Sequence, residues 1–225
     1  MDLLETRYLH LLSGLSNAAG QHTPLLLAVS KFQPAESVRA LAALGQRCFG
    51  ENYVQEAMAK QVQLADLPLE WHLIGPLQSN KCREAARHFD WVQSVERAKL
   101  LPLLNRERPE GRDPLNVLLQ VNIDGEASKS GCLPADVAAL ADAAAALPRL
   151  RLRGLMAIPE PHPDPAQRRA AFAQMKVLFD SVKASHPSCD TLSMGMSDDY
   201  PLALAEGATL IRVGTALFGA RPAPI

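Results

Sequence analysis

The sequence predicts an α/β protein built on a (β/α)8 TIM barrel, because short apolar runs alternate with helix-like segments along the chain. We identify eight β-like runs, which is the strand number of that barrel. The first run, LLLAVS, is followed by KFQPAES and not by the Gly-rich turn of a doubly wound dinucleotide-binding sheet. The chain has 225 residues, so we expect one compact domain over 1–225.

The elements follow one another in a regular order. The eight β-like runs are LLLAVS, RCFGE, WHLIG, WVQSV, NVLLQVN, LRGLMAI, TLSMGMS and TLIRVG. Segments rich in Ala, Leu and charged residues predict helices over 35–44, 53–64, 81–88, 97–106, 134–146, 167–185 and 198–206. Residues 1–19 read as an extra amphipathic helix, with early acids that a signal peptide lacks. We expect this helix to cover part of the barrel.

Composition excludes several classes of function. The net charge is -1 and no long basic run is present, which argues against a nucleic-acid surface. No apolar run approaches the roughly 20 residues of a membrane helix. The four cysteines form no CxxC pair and have no histidine at zinc-ligand spacing, so we expect reduced structural thiols and no metal. We expect a cytoplasmic monomer.

A lysine ends the first strand. Period-2 alternation places Leu27, Val29 and Lys31 on one face of that strand. In a barrel, active-site groups come from the carboxyl-terminal ends of strands, so an inward face would bring Lys31 to the mouth. Partial desolvation there favours the neutral amine, a nucleophile that can form a Schiff base. The alternative is a lysine that extends along the surface to water.

The seventh run predicts an anion site. In this fold, a phosphate is frequently bound by the loops after strands seven and eight. Ser197 is a good helix N-cap, and Gly195 would let the backbone come close to a ligand. Alternation places Ser193 and Ser197 on one side of the strand, and Met196 lies beside them as a further candidate contact. A capped helix start without a ligand is the alternative.

The eighth run adds a second anion-binding turn. Gly214 permits close approach of the backbone, and Thr215 offers a hydroxyl. Arg212 lies two residues before Gly214 and therefore faces the same way. Gly214 could instead mark only a tight turn, and Arg212 could pair with an acid on the barrel floor.

Together these features predict a pyridoxal 5′-phosphate (PLP) site. Strands one and eight are neighbours in a closed barrel, so Lys31 would lie opposite the phosphate-binding loops, as PLP requires. An arginine cannot accept a proton, so Arg212 would donate to an unprotonated pyridine nitrogen. The ring would then be a weak electron sink.

Five further residues stand near strand ends. Asn52 would either cap the next helix or contact the cofactor ring. We interpret His72 as a hydrogen-bonded structural histidine, Asn80 as a helix cap and Met156 as core. Lys129 lies in a polar loop and reads as a surface residue, although a second amine near the mouth could also receive an aldehyde.

The sequence resembles the pyridoxal phosphate homeostasis proteins, which are single-domain relatives of the N-terminal barrel of alanine racemase. The resemblance rests, in order along nearly the whole chain, on LLAVSK, FGENYVQE, WHLIGPLQSNK, QVN, SKSG, GLMAIP, LSMGMSDD and IRVGTALFGAR. It implies a role in vitamin B6 supply and in amino-acid and keto-acid balance, without a well-established catalytic turnover. It implies cofactor contacts by Lys31, Asn52, Ser193, Ser197, Arg212, Gly214 and Thr215.

Three functions compete. The first is a PLP carrier that supplies apo PLP-dependent enzymes. The second is an amino-acid racemase, which needs an acid–base group on each face of its substrate. In alanine racemases the second group is a tyrosine from another subunit, whereas this sequence has only Tyr8, Tyr53 and Tyr200, and we expect no second domain to bring one across. The third is a barrel enzyme acting on a phosphorylated metabolite without Schiff base chemistry.

Overall fold

The strands of the chain form a closed barrel. The computed structural model describes residues 3–18, 23–126 and 129–219. The strands β1 to β8 are Leu25–Val29, Cys48–Glu51, Glu70–Leu73, Trp91–Val95, Leu115–Val121, Leu150–Ala157, Thr191–Ser193 and Leu210–Val213. Each pairs in parallel with the next, and β8 pairs with β1. The predicted (β/α)8 barrel is confirmed.

Helices surround the barrel. Within the described ranges, α1 to α9 are Leu3–Ala18, Ala35–Ala43, Val54–Gln63, Cys82–His88, Leu100–Glu107, Val137–Ala145, Pro165–Ser185, Tyr200–Ala205 and Thr215–Phe218. Short 3-10 turns, Ser79–Lys81 and Pro134–Asp136, lead into α4 and α6. The predicted helices agree with these bounds to within a few residues at most ends.

The strands are buried on both faces. Leu27 points towards the barrel interior and Ala28 towards the helices, and both are fully buried. A parallel strand covered on both sides gains nothing from polar residues, so its sequence is a continuous apolar run. This explains why LLLAV reads as a strand without alternating polarity.

The extra N-terminal helix packs on the outside of the barrel, as predicted. Buried Tyr8, Leu11 and Leu15 face α2, α8 and α9. The Tyr8 hydroxyl donates to Gln46 Oε1 at 3.3 Å, and the Gln46 amide donates to the Leu26 carbonyl at 2.9 Å. This polar pair fastens the helix to β1. Residues 1, 2 and 19 of the predicted helix lie outside the described residues.

The four cysteines are free thiols. Burial raises the pKa of Cys48 to about 12, and that of Cys82, Cys132 and Cys189 to about 11. A thiol with so high a pKa carries little thiolate at neutral pH and reacts slowly. The prediction of structural thiols agrees with this. No helix in the described part of the chain is long and apolar enough to cross a membrane.

Candidate functional site

A cavity of about 510 Å³ opens at the carboxyl-terminal end of the barrel. This volume lies within the roughly 300–1,000 Å³ of small-molecule sites. The loops after β1, β2, β7 and β8 supply most of the residues that the sequence predicts for it. The predicted residues in its lining are Lys31, Asn52, Met196, Ser197, Arg212, Gly214 and Thr215. Ser193 is the one predicted residue that does not line it.

The charge of the lining suits an anion. Lys31, Lys129 and Arg212 contribute three cations, and Asp198 contributes one carboxylate. Lys129 lies 3.6 Å from carboxylates of both Asp124 and Glu126, so part of its charge is balanced. The sequence suggested that Lys129 is a surface residue, but the structure places it in the cavity wall. The remaining excess of positive charge attracts phosphate or carboxylate.

Polar contacts hold the chain on both sides of Lys31. The Ser30 hydroxyl donates to Glu51 Oε1 at 2.6 Å, and the Phe32 N–H donates to Glu56 Oε1 at 2.5 Å. Phe32 has a φ of 63°, which is uncommon for a residue other than glycine. The turn that presents Lys31 is thus imposed by its neighbours, as at other functional sites with local backbone strain.

Lys60 ties these contacts together. Its Nζ donates to the Ser30 carbonyl at 2.6 Å, to Glu51 Oε1 at 2.7 Å and to Glu56 Oε1 at 2.8 Å. Glu51 is fully buried, and burial raises the pKa of its carboxyl although Lys60 acts in the opposite direction. Our sequence analysis missed this cluster. The spacing of Glu56 and Lys60, one helical turn apart on α3, was its readable signal.

Arg212 enters the cavity from β8. Its side chain is almost fully buried, with Nη1 donating to Ser193 Oγ at 2.6 Å and Nη2 to the Ala157 carbonyl at 2.8 Å. Burial lowers the pKa of Arg212 to about 10, against the charge of Asp199. The guanidinium is therefore still protonated at neutral pH and can only donate. Within the described ranges, no carboxylate on the barrel floor is at ion-pair distance from Arg212, so that alternative is wrong.

Ser193 lies beneath Arg212 in the barrel interior. Its hydroxyl accepts from Arg212 and donates to Gln93 Oε1 at 2.7 Å, and the residue is fully buried. The predicted alternation through Ser197 fails because β7 ends at Ser193 and Gly195 turns the chain with a φ of 91°. We expected Ser193 to contact a phosphate, but its hydroxyl faces Gln93 and Arg212 and the residue does not line the cavity.

The loop after β7 is organised by Asp199. Asp199, not Ser197 as predicted, is the N-cap residue of α8, and its Oδ1 accepts from the Met196 N–H at 2.7 Å. Ser197 Oγ instead accepts from the Ala216 N–H at 3.3 Å, which joins the loops after β7 and β8. A Cβ on Gly195 would lie 2.6 Å from the Ala203 Cβ, so this glycine serves packing against α8.

Gly214 and Thr215 begin the last helix. A Cβ on Gly214 would lie 3.3 Å from the Val29 carbonyl oxygen, so this glycine lets β8 stay close to β1. Thr215 is exposed, lines the cavity and is the first residue of α9. The hydroxyls of Ser197 and Thr215 thus reach one cavity from two loops.

The cap predicted for Asn80 is wrong, the cap alternative for Asn52 fails, and the prediction of a structural His72 is confirmed. Tyr53 is the N-cap residue of α3, and Asn52 lines the cavity. Asn80 lies within a 3-10 turn whose N-cap residue is Gln78, because that turn precedes α4. His72 is fully buried and hydrogen-bonded on both ring nitrogens, and Met156 is core, as predicted.

The lysine after β1 and the arginine on β8 line one cavity at the mouth of a closed parallel barrel, so the protein is a TIM barrel with a small-molecule site. Residues 10–222 match the family described as alanine racemase, N-terminal domain. A relative from Pseudomonas aeruginosa, named pyridoxal phosphate homeostasis protein, is 59% identical over 208 residues, which is 92% of this chain and 89% of the relative. The Escherichia coli K12 protein of the same name is 52% identical over 199 residues, which is 87% of this chain and 85% of the relative. The chain belongs to the family of pyridoxal phosphate homeostasis proteins.

Two solved structures have the same barrel fold as this chain. PipY of Synechococcus elongatus, solved with PLP bound, is 43% identical, with a TM-score of 0.85 over 96% of this chain and 100% of that one. Alanine racemase of Corynebacterium glutamicum is 19% identical, with a TM-score of 0.67 over 98% of this chain and 63% of that one. The second likeness concerns the fold alone.

Proposed function

We propose that this protein binds PLP and holds it in reserve for other proteins, as part of vitamin B6 homeostasis. One observation carries the proposal: Lys31, Arg212 and the hydroxyls of Ser197 and Thr215 line a single cationic cavity. The names of the relatives and the PLP bound to PipY support it.

The donor set fits each part of PLP. The Lys31 amine suits the aldehyde, through a Schiff base. Ser197 keeps its own O–H as a donor while it accepts from Ala216, so it suits the phosphate, together with Thr215 and the backbone at Gly214. Arg212 faces the cavity as a donor for the ring nitrogen. We assign Asn52 and Met196 to the ring and its substituents, and Ser193 to the orientation of Arg212.

The residues favour holding the cofactor over catalysis. When bound, PLP supplies an aldehyde that joins amines reversibly and a ring that withdraws electrons. Arg212 has no hydrogen-bond acceptor, so it cannot stabilise a protonated ring nitrogen as the carboxylate of a strong electron sink does. Lys31 is half-buried at an open mouth, where water and competing amines can reach it.

The tyrosines do not support the racemase alternative. Tyr8 lies on the buried face of α1 and is hydrogen-bonded to Gln46. Tyr53 is 52% exposed and packs on Phe32, with ring centroids 5.7 Å apart. No tyrosine in the described part of the chain lines the cavity. A second acid–base group of the alanine racemase kind is therefore not supplied there.

We propose, as a separate point, that the protein is a cytoplasmic monomer that donates PLP to apo-enzymes.

Reactivation of an apo PLP-dependent enzyme tests this function. The PLP-loaded protein, freed of excess cofactor, is mixed with the apo-enzyme, and recovered activity is followed alongside formation of D-alanine from L-alanine. We expect slow reactivation and negligible D-alanine. Turnover in the ordinary enzyme range, about 1–10³ per second, would favour the racemase. A protein with no visible absorption and no reactivation would favour the barrel enzyme without Schiff base chemistry.

A further inference from the structure

A chain of hydrogen-bonded side chains crosses the barrel interior to Arg212. It runs from Glu70 and His72 on β3, through Gln93 on β4, to Ser193 on β7 and Arg212 on β8. Its four hydrogen bonds measure 2.8, 2.9, 2.7 and 2.6 Å in that order. TIM-barrel interiors are normally filled by layers of branched apolar side chains, so a polar chain across the interior needs a reason.

With the Gln93 amide oxygen on Ser193 and its nitrogen on His72, the chemistry of the groups gives the direction of every hydrogen bond. Arg212 can only donate, so Ser193 Oγ accepts from it and gives its own proton to Gln93 Oε1. The Gln93 amide nitrogen then faces His72 Nδ1, which must accept. The remaining proton of a neutral His72 is on Nε2 and is donated to Glu70. All donors therefore point from the arginine towards the carboxylate.

The surroundings of His72 agree with this assignment. The imidazole is fully buried and stacks on Trp91, with ring centroids 5.1 Å apart and planes at 8°. Burial lowers the pKa of His72, which keeps the ring neutral. The hydrogen bond from His72 lowers the pKa of Glu70, which keeps its carboxyl ionised. Glu70 lies at the start of β3 with its side chain 41% exposed, so its charge is partly solvated.

We infer that Glu70 is the remote counter-charge of Arg212, and that His72, Gln93 and Ser193 are positioning residues that transmit its polarity. Aligned hydrogen bonds in a low-dielectric interior polarise one another, so the carboxylate strengthens the bond that holds the guanidinium. Arg212 then presents its other N–H groups to the cavity in a fixed orientation. The predicted effect on PLP affinity rests on the proposed function. The existence and polarity of the hydrogen-bonded chain do not depend on it.

A metal site at the same place is the competing interpretation. Cys48, Glu70 and His72 bring a sulfur, an oxygen and a nitrogen within 4.8 Å of one another. The Glu70 oxygen and His72 Nε2 already contact each other at 2.8 Å, and the pKa of the Cys48 thiol is raised to about 12. We therefore assign this group to hydrogen bonding.

Moving the carboxylate along the chain tests the inference. Glu70→Gln removes the charge, while the double variant Glu70→Gln with Gln93→Glu transfers it to position 93. In the double variant the new carboxylate accepts from both Ser193 and His72 Nδ1, so His72 must change tautomer while every group keeps a partner. Glu110→Gln is the control, since Glu110 pairs with Arg149 at 2.8 Å on the surface and its side chain is 86% exposed.

Two measurements test the hydrogen-bonded chain separately from the proposed function. Nitrogen-15 NMR of the PLP-free protein should show His72 with its proton on Nε2 in the wild type and on Nδ1 in the double variant. PLP affinity should fall about 2- to 30-fold in Glu70→Gln, the range for substitutions along a coupled network, and recover in the double variant. The control should match the wild type.

Different results would overturn the inference and the proposed function. A wild-type His72 with its proton on Nδ1, or Glu70→Gln binding PLP as tightly as the control, would overturn the inference. If the double variant does not fold, the wild-type tautomer and the single variant still decide it. If no variant and no wild type binds PLP, the proposed function fails, and the wild-type tautomer alone still reports on the chain.

Discussion

Leu27 of β1 lies directly opposite Arg212 of β8 in the pairing that closes the barrel. Lys31 follows shortly after Leu27 on the same strand-to-loop segment, so the lysine and the arginine reach one cavity from neighbouring strands. This arrangement joins an amine, a guanidinium and two hydroxyl-bearing loops at one end of the fold.

Removing the phosphate from the ligand should weaken binding strongly. Charge-assisted hydrogen bonds contribute about 1.5–3 kcal/mol each, so loss of two would reduce affinity roughly a hundredfold or more. Titrations with pyridoxal and with PLP, followed by absorbance, measure this. Ser197→Ala should reduce the difference in affinity between PLP and pyridoxal. Ser37→Ala, on the outer helix α2, should leave that difference unchanged. Equal affinities for the two ligands would place the phosphate site elsewhere.

Replacing Lys60 by methionine should destabilise the fold and the turn at Lys31. Removing one partner of a buried ion pair costs about 3–5 kcal/mol, and here Glu51 is fully buried. Urea unfolding of Lys60→Met against Lys176→Met measures the difference, since the Lys176 pair with Asp180 is on the surface and such pairs contribute about 0–1 kcal/mol. Similar losses in both variants would show that the Lys60 cluster is not structural.

Acid should destabilise the protein partly through His72. Burial lowers the pKa of His72 in the folded state below its ordinary value of 6.5, so the unfolded state binds the proton first. The free energy of unfolding therefore falls as pH drops below about 6.5, by at most about 1.4 kcal/mol per pH unit for one group.

The lowered pKa of Glu70 acts in the same direction at lower pH, because a carboxyl ionised in the folded state loses its contribution as pH falls. Denaturant unfolding at several pH values should show a shallower pH dependence for His72→Gln than for the wild type. His10→Gln, at an exposed position of α1, is the control. An unchanged slope in His72→Gln would contradict the neutral buried imidazole.

Arg212→Glu should make the site more reactive. A carboxyl at this position can share a proton with the ring nitrogen and strengthen the electron sink, which the guanidinium cannot do. We expect D-alanine to form from L-alanine slowly in the variant and negligibly in the wild type. Chiral analysis after long incubation measures both, with PLP occupancy of the variant as the control. A wild type as active as the variant would show that Arg212 does not suppress catalysis.

The sequence predicts what depends on local pattern. Apolar runs and their ends identify the strands, and alternation with the barrel rule brings Lys31 and Arg212 to the mouth. Ser193 was misplaced because the course of the chain after β7 depends on the left-handed turn at Gly195 and on the contact between Met196 and Asp199. Neither feature has a periodic signal.

Most contacts of the polar clusters could not be predicted either, since only the pair Glu56 and Lys60 has a local spacing. Lys60 reaches Ser30 and Glu51 because α3 packs on β2, which pairs with β1 in the barrel. Gln93 meets Ser193 across the barrel at a separation of 100 residues. Contacts between distant segments have no local pattern, so they appear only once the barrel closes.

Borohydride reduction of the PLP-loaded protein, followed by peptide mapping, tests the central claim most directly. The account predicts a pyridoxyl group fixed on the peptide that contains Lys31, and loss of most visible absorption in Lys31→Ala. A pyridoxyl group found chiefly on Lys129 or Lys81, with absorption retained in Lys31→Ala, would contradict it.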